Sequence, residues 1–100
     1  MNRDPFVAIA DPNRREMIRL LSAGEKTMNE LSTHFDMSRP AVSKHVRIME
    51  ECGVINIQTS GRERIASIDY SALQEISIWL KKYEDFWEDR LDNLGQYLNK

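Results

Sequence analysis

The segment from residue 38 to residue 53, SRPAVSKHVRIMEECG, carries helix-boundary signals at both ends and restricts the fold more than any other part of the chain. The hydroxyl of Ser38 can accept a hydrogen bond from an N–H of the first helical turn. Pro40 is tolerated in that turn because those N–H groups have no partner within the helix. Gly53 suits the left-handed conformation in which many helices end. The segment is therefore predicted to form one short helix.

The two sides of this predicted helix differ in chemistry. Apolar residues at helical spacing mark the side that packs inward, namely Val42, Val46, Met49 and Cys52. The other side carries small and basic residues with His45 beside them, namely Arg39, Ser43, Lys44 and Arg47. No acidic residue occurs between positions 39 and 49. A helix with an apolar back and a small, basic front fits the major groove of DNA.

Length and composition indicate one small globular domain over residues 1–100. Contents of 41% hydrophobic and 30% charged residues are ordinary for such a domain. No apolar run approaches the roughly 20 residues that a membrane span needs, and the N-terminus lacks a signal-peptide core. The single cysteine cannot form an internal disulfide. We therefore expect a reducing, cytoplasmic location and no membrane partner.

The net charge of -2 argues against a nucleic-acid-binding protein, but the distribution of charge does not. Residues 1–65 carry ten basic and nine acidic side chains, whereas residues 66–100 carry four and seven. The basic residues form three groups, namely Arg14 with Arg15, Arg39 with Lys44 and Arg47, and Arg62 with Arg64. Contacts with DNA phosphates need such local patches and do not need a basic total.

Two aspartate–proline pairs predict two helices near the N-terminus, because an acidic residue and a proline both suit a first helical turn. The first helix follows Asp4, and the second runs from Pro12 to about Ala23. Arg14 and Arg15 fall in the first turn of the second helix, where positive charge opposes the helix dipole. Two interpretations follow, a contact with DNA phosphate or a pair of solvated surface charges.

A third helix is predicted over residues 28–35. Thr27 and Glu30 have the spacing of a capping box, in which each side chain accepts from the other residue's backbone N–H. A short turn then leads to Ser38 and the next helix. Two short helices joined in this way match a helix-turn-helix, here over about residues 27–52, whose second helix reads the major groove.

The pattern changes from helical to extended after Gly53. Two segments rich in β-favouring residues, 54–59 and 64–69, flank a turn that contains Arg62. A hairpin that follows a helix-turn-helix is a wing, and the tip of a wing commonly lies over DNA backbone or the minor groove. Arg62 and Arg64 are the candidates for that contact.

A long apolar stripe predicts a final helix over about residues 71–98. Its length of about 40 Å exceeds what a small domain needs for its own core. The spacing of the stripe is close to that of a coiled-coil seam. We interpret this helix, with the first helix beside it, mainly as a homodimer interface built from Phe6, Leu80, Tyr83, Trp87, Leu91, Leu94 and Leu98. The alternative is an intrachain helix that covers the wing, and one helix can do both along its length.

Patterns for metal binding or catalysis do not occur. The only histidines are His34 and His45 and the only cysteine is Cys52, so no Cys/His cluster has metal-ligand spacing. No metal or other cofactor is predicted. Cys52 lies on an apolar stripe, which favours a buried thiol over a redox sensor. Aromatic residues of the last helix could line a small-molecule pocket, but their regular spacing favours packing. No nucleophile or phosphate-loop motif indicates an enzyme.

The chain resembles the ArsR/SmtB family of bacterial winged-helix repressors over nearly its whole length. The matching segments are ADPNRREMIRLL (10–21), ELSTHF (30–35), MSRPAVSKHV (37–46), ECGVI (51–55) and GRER (61–64). The resemblance implies a mainly α fold with a β-hairpin wing. It also implies a homodimer, joined by the first and last helices, that binds a near-palindromic operator, often in its own promoter.

By this resemblance, the DNA-facing positions of the chain are Ser38, Arg39, Ala41, Ser43, Lys44 and His45, with Arg62 and Arg64 in the wing. Arg47, Arg14 and Arg15 are further candidates from the charge pattern. Arg39 or Lys44 could donate to guanine, and Ala41 could touch a thymine methyl.

The chain departs from the metal-sensing members, because its third helix has no cysteine and its last helix has no histidine. We therefore expect a repressor that senses no metal. Its expected partners are double-stranded DNA, a second copy of the chain and an unidentified small-molecule or protein effector. The alternative is a winged-helix module that binds another protein through its last helix, without specific DNA binding.

Overall fold

The computed structural model describes residues 3–98, so positions 1, 2, 99 and 100 of the predicted domain lie outside the described part. Within it, the elements follow in the order α1 (Pro5–Ile9), α2 (Pro12–Ser22), β1 (Lys26–Thr27), α3 (Met28–Thr33), α4 (Arg39–Glu51), β2 (Ile55–Ser60), β3 (Glu63–Ile68) and α5 (Tyr70–Leu98). The prediction of a mainly helical chain with a β-hairpin wing is confirmed.

The predicted caps begin the helices. Asp4 and Asp11 are the N-cap residues of α1 and α2. Thr27 and Glu30 form a complete capping box at α3, with both hydrogen bonds at 3.1 Å. The Ser38 hydroxyl accepts from the third backbone N–H of α4 at 3.2 Å. Each cap depends only on residues two or three positions apart, which is why the sequence alone places these boundaries.

Helix α3 ends at Thr33, two residues before the predicted end. The N–H groups of His34 and Phe35 donate to carbonyls three residues earlier, at 3.1 and 3.4 Å. Such bonds tighten the end of a helix into a 3₁₀ turn, and the α-helical pattern stops there.

The sheet has three strands, whereas the sequence predicted two. β2 and β3 pair antiparallel through a two-residue turn, Gly61-Arg62. Gly61 has a φ of +63°, as a type II′ turn requires at its first central residue. The missed strand, β1, lies on the other side of β3, with Thr27 opposite Ile65. Two residues are too few for the alternation by which a strand is detected.

The core lies between the first four helices and the sheet. Its fully buried side chains come from every layer and include Met17, Leu31, Val42, Val46, Met49, Val54 and Ile55. Cys52 is buried beside them, as its place on the apolar stripe predicted. Burial raises the pKa of the Cys52 thiol, because the charged form loses its hydration.

Helix α5 begins on this core and then leaves it. Ile76 is 5% exposed, and Ala72 and Leu73 pack against the core. The radius of gyration is 17.4 Å and the longest dimension is 64 Å. A compact domain of this length would have a radius of gyration of about 13 Å, so most of α5 projects beyond the domain. No helix within residues 3–98 is long and apolar enough to cross a membrane.

Candidate nucleic-acid interface

An open cleft of about 270 Å³ lies between the N-terminal end of α4 and the wing. Arg39 and Ser43 line the helical wall, while Arg62 and Arg64 line the wing wall. The first turn of α3 closes one end with Asn29. The pairing of β1 with β3 brings α3 to this position. Tertiary strand pairing thus unites residues that are far apart in the chain.

A second cleft of about 390 Å³ continues along α4. Ser43 and Arg64 line both clefts, so the two form one continuous surface. Five basic side chains border this surface, namely Arg39, Lys44, Arg47, Arg62 and Arg64. Two acidic side chains, Glu50 and Glu63, also border it. The surface therefore carries a local positive excess in a chain of net charge -2 and suits a phosphodiester backbone.

The candidates without charge are half-buried or already hydrogen-bonded within the chain. Ser43 and Ala41 are half-buried. Ser38 is exposed, but its hydroxyl already accepts from the Ala41 N–H as the helix cap. Sequence reasoning missed Asn29 and Glu63, which also line the first cleft. No signal in the sequence could have found Asn29, because its place depends on the undetected strand β1.

Arg14 is buried, which corrects the interpretation of this residue as a solvated surface charge. The residue is only 9% exposed to solvent. The guanidinium donates to the carbonyls of Val7 and Ala8, at 2.8 and 3.2 Å, and lies 3.2 Å from Nδ1 of His45. A guanidinium engaged in this way is not a solvated surface charge. These bonds offset its unfavourable place in the first turn of α2.

Arg15 and His45 also have partners within the fold. Arg15 is exposed and donates to the carbonyl of Ile9 at 2.7 Å. With Arg14, it therefore donates to carbonyls at the end of α1, one of which, the Val7 carbonyl, also accepts from the Ala10 N–H at 3.3 Å. His45 is half-buried, with Nδ1 directed at Arg14.

The predicted dimer residues form an exposed apolar stripe along α5. Leu91 is 65% exposed, and Leu80, Trp87, Leu94 and Leu98 are also exposed. Tyr83 packs on Trp79 at a centroid distance of 4.9 Å. With only residues 3–98 considered, the side chains of the stripe remain exposed from Leu80 onward.

The acidic and sulfur-bearing residues do not form a metal site in the described part of the chain. Among residues 3–98, no three side chains of His, Cys, Asp or Glu lie close enough together to hold a metal ion.

The comparisons with known proteins all match this chain to bacterial transcriptional regulators. The family described as "Bacterial regulatory protein, arsR family" matches residues 11–56. The transcriptional repressor SdpR of Bacillus subtilis is 32% identical over 78 residues, which cover 78% of this chain and 87% of SdpR. The HTH-type transcriptional regulator Rv2034 of Mycobacterium tuberculosis is 27% identical over 92 residues, which cover 92% of this chain and 83% of Rv2034. A possible transcriptional regulator for arsenical resistance, known from its crystal structure, is 35% identical in sequence and superposes with a TM-score of 0.79. The match covers 94% of this chain and 95% of that protein.

Proposed function

Since the chain belongs to the arsR family of bacterial regulatory proteins, and is therefore a DNA-binding transcriptional regulator, we propose that it is a homodimeric repressor of a near-palindromic operator. Its own promoter is the first operator to test. The continuous basic surface that joins α4 to the wing carries this proposal. SdpR, a relative that is named as a transcriptional repressor, supports repression rather than activation.

Recognition is assigned to α4 and the wing of a single winged helix-turn-helix domain. α4 enters the major groove, where Arg39 and Lys44 donate to guanine O6 and N7. Arg62 and Arg64 contact phosphates from the wing. Both pairs of residues are exposed on walls of one surface, which supports their acting on one duplex.

The dimer is assigned to the exposed stripe of α5, with Phe6 of α1 at its edge. An apolar surface of this length is normally covered by a partner in solution. A two-fold dimer presents two copies of α4 to half-sites about 34 Å apart, one turn of the duplex. We assign no metal effector, because α3 has no cysteine and α5 has no histidine. Release by an organic ligand, by another protein or by dilution fits this assignment.

The direct test uses a duplex that the protein itself selects from a randomised pool of about 30 base pairs, spanning two half-sites. Changing Arg39 and Lys44 together to Ala should weaken binding to it by at least about tenfold, because each base contact contributes on the order of 1–3 kcal/mol. Arg19→Ala is the matched control, since Arg19 pairs with Glu16 on the surface of α2. Circular dichroism should show that all variants remain folded.

Tight selective binding by the double variant would show that α4 is not the recognition helix. Failure of the unaltered protein to select any duplex at low salt, together with capture of a protein partner through α5, would favour the protein-interaction module instead.

A further inference from the structure

Arg14 connects three helices at one point. From the first turn of α2, its guanidinium holds the carbonyls of Val7 and Ala8 in α1 and contacts the His45 ring of α4. This contact lies outside the basic surface, because neither cleft is lined by Arg14 or His45.

The chemistry of the contact fixes the role of the ring nitrogen that faces Arg14. A guanidinium has only donors, so Nδ1 of His45 must accept the hydrogen bond. This Nδ1 is a partly buried partner for Arg14 and is not free for DNA.

The ring also points away from the basic surface. Ser43 lies on the wall of both clefts, and His45 follows it by two residues. Two residues correspond to about 200° of rotation around an α-helix. His45 thus lies on the flank of α4 that faces α2, which agrees with its half-buried state.

The segment that leads into α1 also contacts α4, and α1 itself contacts α5. Before α1, the backbone N–H of Arg3 donates to the Glu51 carbonyl at 2.8 Å, and the two side chains form an ion pair at the end of α4. Phe6 of α1 meets Trp79 of α5 at 5.3 Å. α1 therefore lies between the recognition helix and the exposed stripe of α5.

We propose that Arg14 and His45 are positioning residues, which set the orientation of α4 relative to α1 and, through α1, relative to the dimer face. This inference rests on the proposed function, because it assumes a dimer that presents two copies of α4. His45 then supports DNA binding through its Nδ1 acceptor and makes no contact with the duplex. The distance between the two recognition helices depends on this partly buried hydrogen bond.

Two near-isosteric substitutions at position 45 separate the positioning role from a DNA contact. His45→Asn places a carbonyl oxygen near the position of Nδ1, so the acceptor for Arg14 is kept and the outer N–H is lost. His45→Gln places an amide N–H near the position of Nε2 and removes the acceptor at Nδ1. Position 45 is preferable to position 14, because loss of Arg14 would also release the end of α1 and could prevent folding.

Binding is measured on the selected two-half-site duplex and on a duplex cut to one half-site. We expect His45→Asn to bind the full site within about threefold of the unaltered protein. We expect His45→Gln to bind it about tenfold more weakly or worse, since a buried donor then lacks its partner. Binding of His45→Gln to the single half-site should change much less. Gln has a higher helix propensity than His or Asn, so helix propensity predicts the opposite order.

Thermal melts will establish that both variants are folded. The reverse order, with Gln near the unaltered protein and Asn weakened, would show that His45 contacts DNA through Nε2 and would overturn the proposal. Equal effects of the two substitutions, large or small, would overturn it as well. If the unaltered protein selects no duplex, the proposed function fails first, and that result is distinct from either pattern.

Discussion

The Phe6 ring in α1 meets the Trp79 indole in α5 edge to face, with ring centroids 5.3 Å apart and planes inclined at 76°. This arrangement is favourable for aromatic pairs and contributes beyond the burial of area. Trp79 nevertheless remains 47% exposed. The pair joins α1 to the start of an apolar face that continues to the end of α5. The predicted packing of the first helix beside the last is therefore confirmed within one chain.

A charge placed in the α5 stripe should separate the dimer without unfolding the chain. Leu91 is 65% exposed in the single chain, so Leu91→Glu removes little intrachain packing. In the proposed interface, the same substitution buries an unpaired carboxylate. We expect sedimentation to show folded monomers at micromolar concentration. Gln96→Glu is the control, because it adds the same charge about 200° around the helix from Leu94. A stable monomer before any substitution would contradict the assignment of the stripe.

The wing arginines should contribute affinity without sequence preference. Arg62→Ala removes one proposed phosphate contact, so the dependence of log affinity on log salt should become shallower by about 0.9 per subunit. Affinity should fall by a similar factor on matched and mismatched duplexes. Fluorescence anisotropy over a salt series measures both quantities. An unchanged slope of log affinity against log salt would show that Arg62 contacts no phosphate.

Gly53 should tolerate Asn better than Ala. Its φ of +77° lies in the left-handed region, which costs an ordinary residue about 1–2 kcal/mol. An added Cβ would lie 3.8 Å from the Cβ of Ala72, an ordinary contact, so the cost comes from the backbone alone. We expect urea unfolding to show a loss of about 1–2 kcal/mol for Gly53→Ala and a smaller loss for Gly53→Asn. Equal losses would mean that the added atoms clash.

Acid should weaken the start of α5 through Asp69. The Ser71 hydroxyl and then the Ser71 N–H donate to this carboxylate and hold the pKa of Asp69 below its usual value of 3.8. A lowered pKa in the folded state stabilises the protein above the unfolded pKa, and this stabilisation is lost as pH falls through the folded pKa. Asp69→Asn keeps the cap acceptor but cannot titrate. Unfolding free energies measured below about pH 4 should therefore fall less steeply for the variant. If the unfolding free energies of the two proteins fall equally steeply with pH, Asp69 does not cause the loss of stability in acid.

The helices could be predicted from the sequence because their signals are local. Ser38 and Thr27 lie within three residues of the N–H groups that they cap. The final helix was equally predictable, since its apolar residues keep one spacing over the whole length. The β-favouring residues of the two longer strands were sufficient to place the wing.

Features that depend on tertiary contacts were not predictable. β1 exists because Thr27 reaches β3, about 40 residues later in the chain. The sequence left Arg14 as either a phosphate contact or a surface charge. Its partners within the fold, the carbonyls at the end of α1 and the His45 ring, are set by helix packing. Charge and spacing in the sequence cannot distinguish an arginine that faces solvent from one that fills the junction of three helices.

Thr27 ends a strand and caps a helix. Its backbone pairs with Ile65 in β3, while its hydroxyl accepts from the first turn of α3. Arg64, next to Ile65, lines the wing wall of the cleft, so this wall and the first turn of α3, which also lines the cleft, cannot shift independently. We expect a cleft braced in this way to act as a stiff template in the proposed complex. Duplexes whose grooves already match its spacing should then bind with the least deformation, so the shape and flexibility of the DNA should contribute to recognition.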